Sequence, residues 1–240
     1  MGAYIINLED RRQVAEGTMA FYFGKPAGFH FAGGQSIDLT LIDPPETDAE
    51  GDTRAFSLAG APYEAALMVA TRMRDTAFKR VLKTLPLGSQ AQMQGPFGSM
   101  TLHRKVDRPA VILAGGIGIT PFRSMLGQAL RDNTGHRLFL FYANRRPEDA
   151  AFLAELQQWA GQHPNFTLVA TMTSRGKSTT PWDGETGYIN KHMLVKYVGD
   201  LAEPIYYLAG PPGLVAAMRD MLSDAGVEDD EVNSEDFSGY

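Results

Sequence analysis

The segment LAGGIGITPF, residues 113–122, decides the fold of the second half of the sequence. It continues the apolar run AVILA and predicts a buried strand that ends in a glycine turn and leads into a helix. Such a turn can hold a phosphate, because backbone N–H groups and the start of a helix point at the ligand. Pro121 stands where G-x-G-x-x-G would place its third glycine, and proline is favoured in a first helical turn. Taken alone, the segment fits an ordinary strand–helix connection equally well.

From residue 107 onward, apolar strands alternate with helical segments. RLFLFYAN, FTLVATMT and PIYYLAG are predicted strands, and PEDAAFLAELQQWA is a predicted helix between the first two. Strands that are apolar throughout and separated by helices are typical of a parallel sheet covered on both faces. We therefore predict an α/β domain over residues 107–240.

The first 106 residues follow a different pattern. Every second residue is apolar in TMAFYFGK, residues 18–25, and in QSIDLTLI, residues 35–42, and turn residues separate the two segments. This period is typical of antiparallel strands with one buried face. RAFSLAG, ALMVATRM and SQAQMQGPFG continue the series, and AFKRVLKTL is a predicted helix within it. Residues 1–106 are therefore predicted to form a small β-barrel or sandwich.

Composition excludes several classes of function. The chain has 240 residues, of which 22 are basic and 28 acidic, so it lacks the broad basic surface of a nucleic-acid-binding protein. It contains no cysteine, which excludes a catalytic thiol or a thiolate-bound iron–sulfur cluster within these residues. The five histidines lack metal-ligand spacing, so no metal site is expected. Without an apolar run of membrane-spanning length or a signal-peptide core, the expectation is a cytoplasmic protein with no membrane partner.

Four segments occur in one order: FAGGQSIDL, RAFSLAGAP, AGGIGITPF and YYLAGPPG. Together they resemble the ferredoxin–NADP reductase superfamily, from about residue 31 to the end of the sequence. The resemblance implies an antiparallel Greek-key β-barrel that holds a flavin, followed by a parallel-sheet domain that binds the pyridine nucleotide. It places the boundary between the FAD-binding and NAD(P)-binding domains at residues 106 and 107.

The resemblance also implies a flavin site in the first domain. Arg54 is similar to the family's flavin-phosphate arginine, and Phe56 stands where a tyrosine usually lies against the isoalloxazine ring. Ser57 is similar to the residue that bonds near the flavin N5 atom, and Thr76 to a second phosphate contact at the start of a helix. The predicted FAD-binding residues of this domain are Arg54, Ala55, Phe56, Ser57, Ala70, Thr71 and Thr76.

The nucleotide site implied by the resemblance lies in the second domain. Its predicted residues are Gly115, Gly116, Gly118, Thr120, Pro121, Gly210, Pro211 and Pro212. Ala209 replaces the cysteine that the family carries before this last loop, which removes any contribution of that side chain to hydride transfer.

Nucleotide preference is predicted from the residues that follow two strands. Thr173, Ser174 and Arg175 carry hydroxyl and cationic groups that suit a 2′-phosphate, which favours NADPH over NADH. Arg145 and Arg146 are alternative phosphate partners. The other interpretation is a solvated loop without a ligand.

The sequence ends in SEDFSGY, and exposed aromatic residues gain nothing in water unless they cover something flat. In the resembling family, a terminal aromatic residue lies on the isoalloxazine and an acidic residue two positions earlier lies beside the nicotinamide. Glu235 and Phe237 match that spacing, so they join Ser57 as predicted catalytic residues. Tyr240 is predicted to stack over the adenine of FAD. The other interpretation is a tail without a role.

These features imply an FAD-dependent NAD(P)H oxidoreductase. It would take hydride from NADPH or NADH onto FAD and pass electrons to a separate acceptor, such as a ferredoxin or an oxygenase or heme component. FMN is the alternative flavin. Two other functions remain open: a diaphorase-like free-flavin or ferric reductase, and a non-catalytic flavin redox sensor. The identity of the acceptor, the oligomeric state and the direction of electron flow do not follow from the sequence.

Overall fold

The computed structural model describes residues 2–174, 176 and 178–237, and its first half is an antiparallel six-stranded sheet. The strand order is β4-β3-β6-β1-β2-β5. An isolated bridge between Leu58 and Val69 joins the end of β4 to β5 at the opposite edge, so the sheet closes on itself as the predicted barrel. The strands are β1 (Ala3–Ala15), β2 (Thr18–Gly24), β3 (Ser36–Leu41), β4 (Thr53–Ser57), β5 (Ala66–Arg72) and β6 (Gln90–Phe97).

The barrel core comes from the alternating residues of its strands. Phe21 and Phe23 of β2 and Ile37 and Leu39 of β3 are fully buried in one cluster. Helix α1 (Ala77–Thr84) also packs its apolar face against this cluster, and its position confirms the helix predicted between the strands. The period-two pattern therefore identified the buried face of the barrel correctly.

The second half is a parallel six-stranded sheet of order β10-β9-β8-β7-β11-β12. Two apolar clusters cover its two faces, as predicted. No helix within the described residues is long and apolar enough to cross a membrane. The strands are β7 (Ala110–Gly115), β8 (Leu138–Asn144), β9 (Phe166–Met172), β10 (Glu185–Thr186), β11 (Ile205–Gly210) and β12 (Val232–Asp236), and the helices are α2 (Ile119–Arg131), α3 (Leu153–Gln162), α4 (Lys191–Val198) and α5 (Pro212–Ser223).

Helix α3 is shorter than its sequence pattern predicts. Pro147–Asp149 forms a separate 3-10 turn, and Phe152 has a left-handed backbone with φ of 61°. That conformation cannot continue a right-handed helix. The helical pattern PEDAAFLAELQQWA is therefore an α-helix only from Leu153 onward.

Near the end of the described chain, β12 pairs in parallel with β11. The pairing runs from Tyr206 opposite Val232 to Gly210 opposite Asp236, and the next N–H, that of Phe237, donates to the Gly210 carbonyl at 3.1 Å. The sequence pattern gave this segment no strand, because VNSED is polar and acidic. Backbone pairing at the edge of the sheet holds it.

Helix α2 connects the two halves through Arg123, which is 7% exposed. Its Nη1 donates to the Ala59 carbonyl at 2.8 Å and to Glu64 at 3.0 Å, both in the barrel half, while its Nε donates to Glu155 of α3 at 2.7 Å. Hydrogen bonds between charged groups are stronger than neutral ones, so this network fixes the two halves relative to each other. The division of the chain at residues 106 and 107 stays a prediction.

Candidate functional site

A cleft of about 480 Å³ lies between the barrel and the parallel sheet. Strands β4 and β5 and the start of α1 form its barrel side. The segment before α2 and the end of β12 form the other side. The cleft thus brings together residues from three of the four sequence segments and from the C-terminal strand. The predicted residues that line it are Arg54, Ala55, Phe56, Ser57, Ala70, Thr71, Thr76, Thr120, Glu235 and Phe237.

Ser57 provides the clearest sign that this cleft holds a ligand. The residue is 7% exposed, and its Oγ finds no hydrogen-bond partner among the described residues. Buried polar atoms almost always have a partner, so an unpaired hydroxyl at a cleft wall is suited to bind a ligand atom. Beside it, Phe56 is half-buried and its ring lies 5.9 Å from that of Phe78. An apolar ring and a free hydroxyl therefore lie side by side on β4.

Arg54 lies in the cleft but is already bound to protein atoms. Its Nη1 lies within 2.9 Å of the carbonyl oxygens of Glu50 and Gly51 and 2.8 Å from that of Thr53. Its Nη2 pairs with the Glu50 carboxylate at 2.9 Å and with that of Asp48 at 3.4 Å. The guanidinium is therefore fixed in position, with carboxylates as its present anionic partners.

Thr76 begins α1 as its N-cap residue. Its backbone is extended, and its hydroxyl accepts from the N–H of Lys79 at 3.4 Å. A threonine in this position satisfies one of the donors that a helix start leaves unpaired. The first turn of α1 and Arg54 form one end of the cleft, which is its most cationic part because Arg74 and Lys79 also line it.

Arg72 lines the same cleft, and the sequence analysis missed it. Its Nε is buried and has no hydrogen-bond partner among the described residues. Arg72 also lines a second cleft of about 380 Å³, together with Arg145, Arg146, Asp149 and Ser174. The position of Arg72 directly after Thr71 on a predicted strand was the available signal. It connects the two clefts with one cationic side chain.

The second cleft lies at the carboxyl ends of β8 and β9. Arg146 is held there by Asp149 at 2.7 Å and Glu16 at 3.0 Å, and these carboxylates raise the pKa of its guanidinium. Arg145 is exposed and forms no ion pair with a described residue. Two arginines and Ser174 can therefore bind an anion here, with Arg145 the more available cation. Thr173 lies beside this cleft, its N–H bound to the Asn144 carbonyl at 2.9 Å.

The predictions for Arg175 and Tyr240 lie outside the described residues. They stay predictions from the sequence.

The glycines of the central turn pack against protein. Gly116 has a φ of +51°, a left-handed backbone that glycine adopts readily. A Cβ on Gly118 would lie 2.3 Å from the Ala209 carbonyl oxygen, and one on Gly115 would lie 2.8 Å from the Leu214 side chain. Because Gly115 and Gly118 have no Cβ, this turn packs directly against the end of β11 and the start of α5.

The loop after β11 is part of the same packing. A Cβ on Gly210 would lie 3.1 Å from the N atom of Gly115, and Gly210 has a φ of +157°. Pro211 caps α5, and Pro212 is its first residue. Pro121 lies buried in the first turn of α2, as predicted. Two residues of this region line the cleft: Ile117 in the glycine turn and Thr120 at the start of α2. Nucleotide binding by the glycines and prolines stays a prediction.

Glu235 and Phe237 close the cleft from the parallel sheet. Glu235 is half-buried, and burial raises the pKa of its carboxyl group. Phe237 is half-buried and packs against the core on one face of the sheet. Glu235 and Phe237 therefore line the same cleft as Phe56 and Ser57. Their role as catalytic residues stays a prediction.

Comparisons with known proteins agree with this architecture. Residues 112–220 match the family model of the oxidoreductase NAD-binding domain. Over its length the chain superposes on the crystal structure of a ferredoxin NADP⁺ reductase from Neisseria gonorrhoeae with bound FAD and NADP, with a TM-score of 0.80, 18% identity and 98% of each chain covered. The chain has the ferredoxin–NADP reductase fold.

Curated relatives of this reductase fold are longer than the chain. The sequence is 29% identical over 227 residues to the glycine betaine monooxygenase reductase subunit of Chromohalobacter salexigens, covering 92% of the chain and 60% of the relative. It is 25% identical over 199 residues to reductase component 1 of terephthalate 1,2-dioxygenase from Comamonas sp, covering 82% of the chain and 56% of the relative. The chain thus spans less than two thirds of the length of either relative, and the matches are to reductase subunits.

Proposed function

We propose that this chain is an FAD-dependent NAD(P)H reductase that passes electrons to a separate acceptor. The observation that carries the proposal is the cleft lined by the unpaired hydroxyl of Ser57, by the neighbouring Phe56 and by Phe237. The two relatives named as reductase parts of oxygenase systems support the same function. By analogy with them, an oxygenase component is the favoured acceptor, and a ferredoxin or a heme component is also suitable.

The residues of the cleft fit a flavin dinucleotide. Phe56 offers an apolar ring for stacking, and the Ser57 hydroxyl offers a hydrogen bond to the edge of a flat ring. Arg54, Arg72 and the first turn of α1 offer cationic and N–H groups for phosphates. When bound, FAD supplies two-electron acceptance from a nicotinamide and one-electron release to an acceptor. FMN would use the same ring contacts but fewer phosphate contacts.

The protein contributes position and exclusion of water. The Arg123 network fixes the barrel relative to the parallel sheet, which sets the width of the cleft between them. Phe237 and Glu235 line the cleft from the parallel sheet, and burial raises the pKa of the Glu235 carboxyl group. Holding reacting groups in a fixed geometry lowers the barrier to their reaction. We propose Ser57, Glu235 and Phe237 as the residues nearest the hydride transfer.

The function is tested with the purified protein of residues 1–240. We expect a yellow protein with about one FAD per chain, because the described residues form one cleft that contains Phe56, Ser57 and Arg54, and repeated turnover of NADPH or NADH when ferricyanide is the acceptor. A sensor would reduce its flavin once and stop. A free-flavin reductase would oxidise NADPH or NADH repeatedly with added FMN or FAD as the acceptor, and it would need no protein acceptor. A colourless protein that does not bind added FAD and does not oxidise either nucleotide would contradict the proposal.

Nucleotide preference is proposed from the second cleft. We expect Arg145→Ala to lower kcat/KM for NADPH by roughly tenfold, the size of one charge-assisted hydrogen bond, and to leave the value for NADH unchanged. The reason is that Arg145 is the exposed arginine of this cleft without an ion-pair partner among the described residues. Steady-state kinetics with both nucleotides measure the ratio. Equal losses with NADPH and NADH would show that no 2′-phosphate binds there.

The C-terminal residues are proposed to cover the cleft until the nucleotide enters. A truncation after Asp236 removes Phe237, whose ring packs against the sheet core at the cleft, and Tyr240. We expect the truncated protein to bind NADP⁺ about tenfold more tightly, because no aromatic ring has to be displaced. Titration of the oxidised protein with NADP⁺ measures this. Unchanged affinity together with an unchanged rate of flavin reduction would show that the ring does not occupy the nicotinamide position.

A further inference from the structure

The loop of residues 43–52 joins β3 to β4 and carries five carboxylates, and we call it the acidic loop. Three of them, Glu46, Asp48 and Glu50, contact α1 or Arg54. Glu46 forms a two-point contact with Arg80 of α1, at 3.0 and 2.7 Å. This contact lies outside the cleft, because neither residue lines it. Glu46 therefore attaches the loop to the helix without entering the candidate site.

Asp48 and Glu50 contact the groups that form the cationic end of the cleft. One oxygen of Asp48 accepts from the N–H of Ala77, the first residue of α1, at 2.9 Å. That hydrogen bond is the main reason why the pKa of Asp48 is lowered. Its other oxygen and the Glu50 carboxylate both lie beside Nη2 of Arg54, at 3.4 and 2.9 Å. Two carboxylates thus bind the guanidinium and the helix N–H that are suited to a phosphate.

These donors cannot serve a phosphate and the carboxylates at the same time. The Nη1 of Arg54 donates to the backbone carbonyls of Glu50 and Gly51 in the acidic loop and of Thr53 in β4, so a second anion would have to bind at Nη2 or Nε. Glu50 itself lines the same cleft as the unpaired hydroxyl of Ser57. A flavin bound at Ser57 would bring its phosphates toward negative charge as well as toward Arg54.

The acidic loop is built so that it can move away. Residues 45–50 are all exposed, so the segment buries little apolar surface that would hold it in place. Its described attachments are mainly ion pairs and hydrogen bonds of the carboxylates and of Arg54. The Arg54 side chain is 18% exposed, but its partners Asp48 and Glu50 are 33% and 68% exposed, so water reaches these ion pairs and an anionic ligand can replace them.

We propose that Asp48 and Glu50 act as an internal anion that occupies the phosphate end of the cleft and competes with the flavin. The acidic loop then has to release Arg54 and the Ala77 N–H when FAD binds, and the strength of its contacts sets the flavin affinity. This inference rests on the proposed function, because it concerns the same cleft. Asp48 and Glu50 would oppose the binding of FAD, because they pair with Arg54 and with the Ala77 N–H.

The test compares flavin affinity in three proteins of residues 1–240 after bound flavin has been removed. The first is the unaltered chain, the second carries Asp48→Asn and Glu50→Gln, and the matched control carries Glu46→Gln. Asparagine and glutamine keep a carbonyl oxygen in place, so the Ala77 N–H retains an acceptor. The control removes a charge from the same loop without touching the cleft. The quenching of FAD fluorescence on titration gives the dissociation constant, and thermal unfolding shows that each protein is folded.

The double variant is expected to bind FAD about tenfold more tightly than the unaltered chain, and the control to bind it within about twofold. If the unaltered chain binds FAD and the double variant binds it equally or more weakly than the control, the two carboxylates do not compete, and the inference is overturned while the proposed function stands. If none of the three folded proteins binds FAD, the proposed function fails and the inference fails with it. Tighter binding by the double variant together with an unchanged control supports the competition.

Discussion

Replacing Gly118 with alanine is expected to lower the free energy of unfolding by about 3 kcal/mol, at the upper end of the cost of overpacking. The added Cβ would lie 2.3 Å from the carbonyl oxygen of Ala209, 2.5 Å from its carbonyl carbon and 2.7 Å from the N atom of Gly210. All three are backbone atoms of β11, so no flexible side chain can move aside. The turn before α2 and the loop after β11 would have to separate, which displaces Thr120 and Phe237 at the cleft.

Chemical denaturation of the purified variant measures this loss. Gly161→Ala is the matched control, because Gly161 lies exposed in α3 and a Cβ there would meet nothing within 4 Å. Alanine is favoured over glycine in a helix by up to about 1 kcal/mol, so this variant should be as stable as the unaltered chain or more so. Equal stability of Gly118→Ala and Gly161→Ala would contradict the close packing at the central turn.

Replacing Arg54 with alanine is expected to raise the dissociation constant of FAD by about thirtyfold, the size of one strong charge-assisted hydrogen bond. Arg54 is the guanidinium at the phosphate end of the cleft, and alanine leaves that end without its main donor. FAD titration of the folded variant measures the change. The change in the free energy of FAD binding should exceed the change in the free energy of unfolding. Some loss of stability is expected, because the variant also loses the contacts of Arg54 with the acidic loop.

Arg80→Ala is the matched control for this prediction. Arg80 pairs with Glu46 of the same loop and with Asp75, but it does not line the cleft. Its removal takes away one arginine and one attachment of the loop while the phosphate end stays intact. We expect the flavin affinity of Arg80→Ala to stay within about threefold of the unaltered chain, because exposed ion pairs contribute little. A normal flavin content in Arg54→Ala would exclude Arg54 as a phosphate ligand.

Much of the fold could be predicted from the sequence, because its strands obey simple periods. The alternation in β2 and β3 and the continuous apolar residues of β7 and β11 each identify a buried surface. The patterns failed where packing or pairing overrides composition. The strand β12 is polar because it is an edge strand, and its place depends on backbone hydrogen bonds to β11. The late start of α3 depends on the backbone of Phe152, which no propensity indicates.

The site was predictable where it follows motifs. The residues of RAFS, and Glu235 and Phe237, were singled out by their resemblance to a known family, and all of them line the cleft. Their roles there stay predictions. Arg72 was missed because an arginine at a strand end is usually a solvated residue. The role of Asp48 and Glu50 could not be predicted, since acidic residues in a loop rich in turn residues show no period, and only folding places them against Arg54.

Helix α2 begins directly after the glycine turn and also carries Arg123, and about one helical turn separates these two features. Its first residue, Ile119, follows the glycine turn, and Arg123 lies four positions later, where it binds Ala59, Glu64 and Glu155. One inserted residue between these positions would rotate everything after it by about 100° and shift it by about 1.5 Å. Arg123 would then point away from the barrel. The spacing between the turn and Arg123 is therefore fixed by geometry, so differences in length among proteins that share this arrangement have to fall outside that first turn.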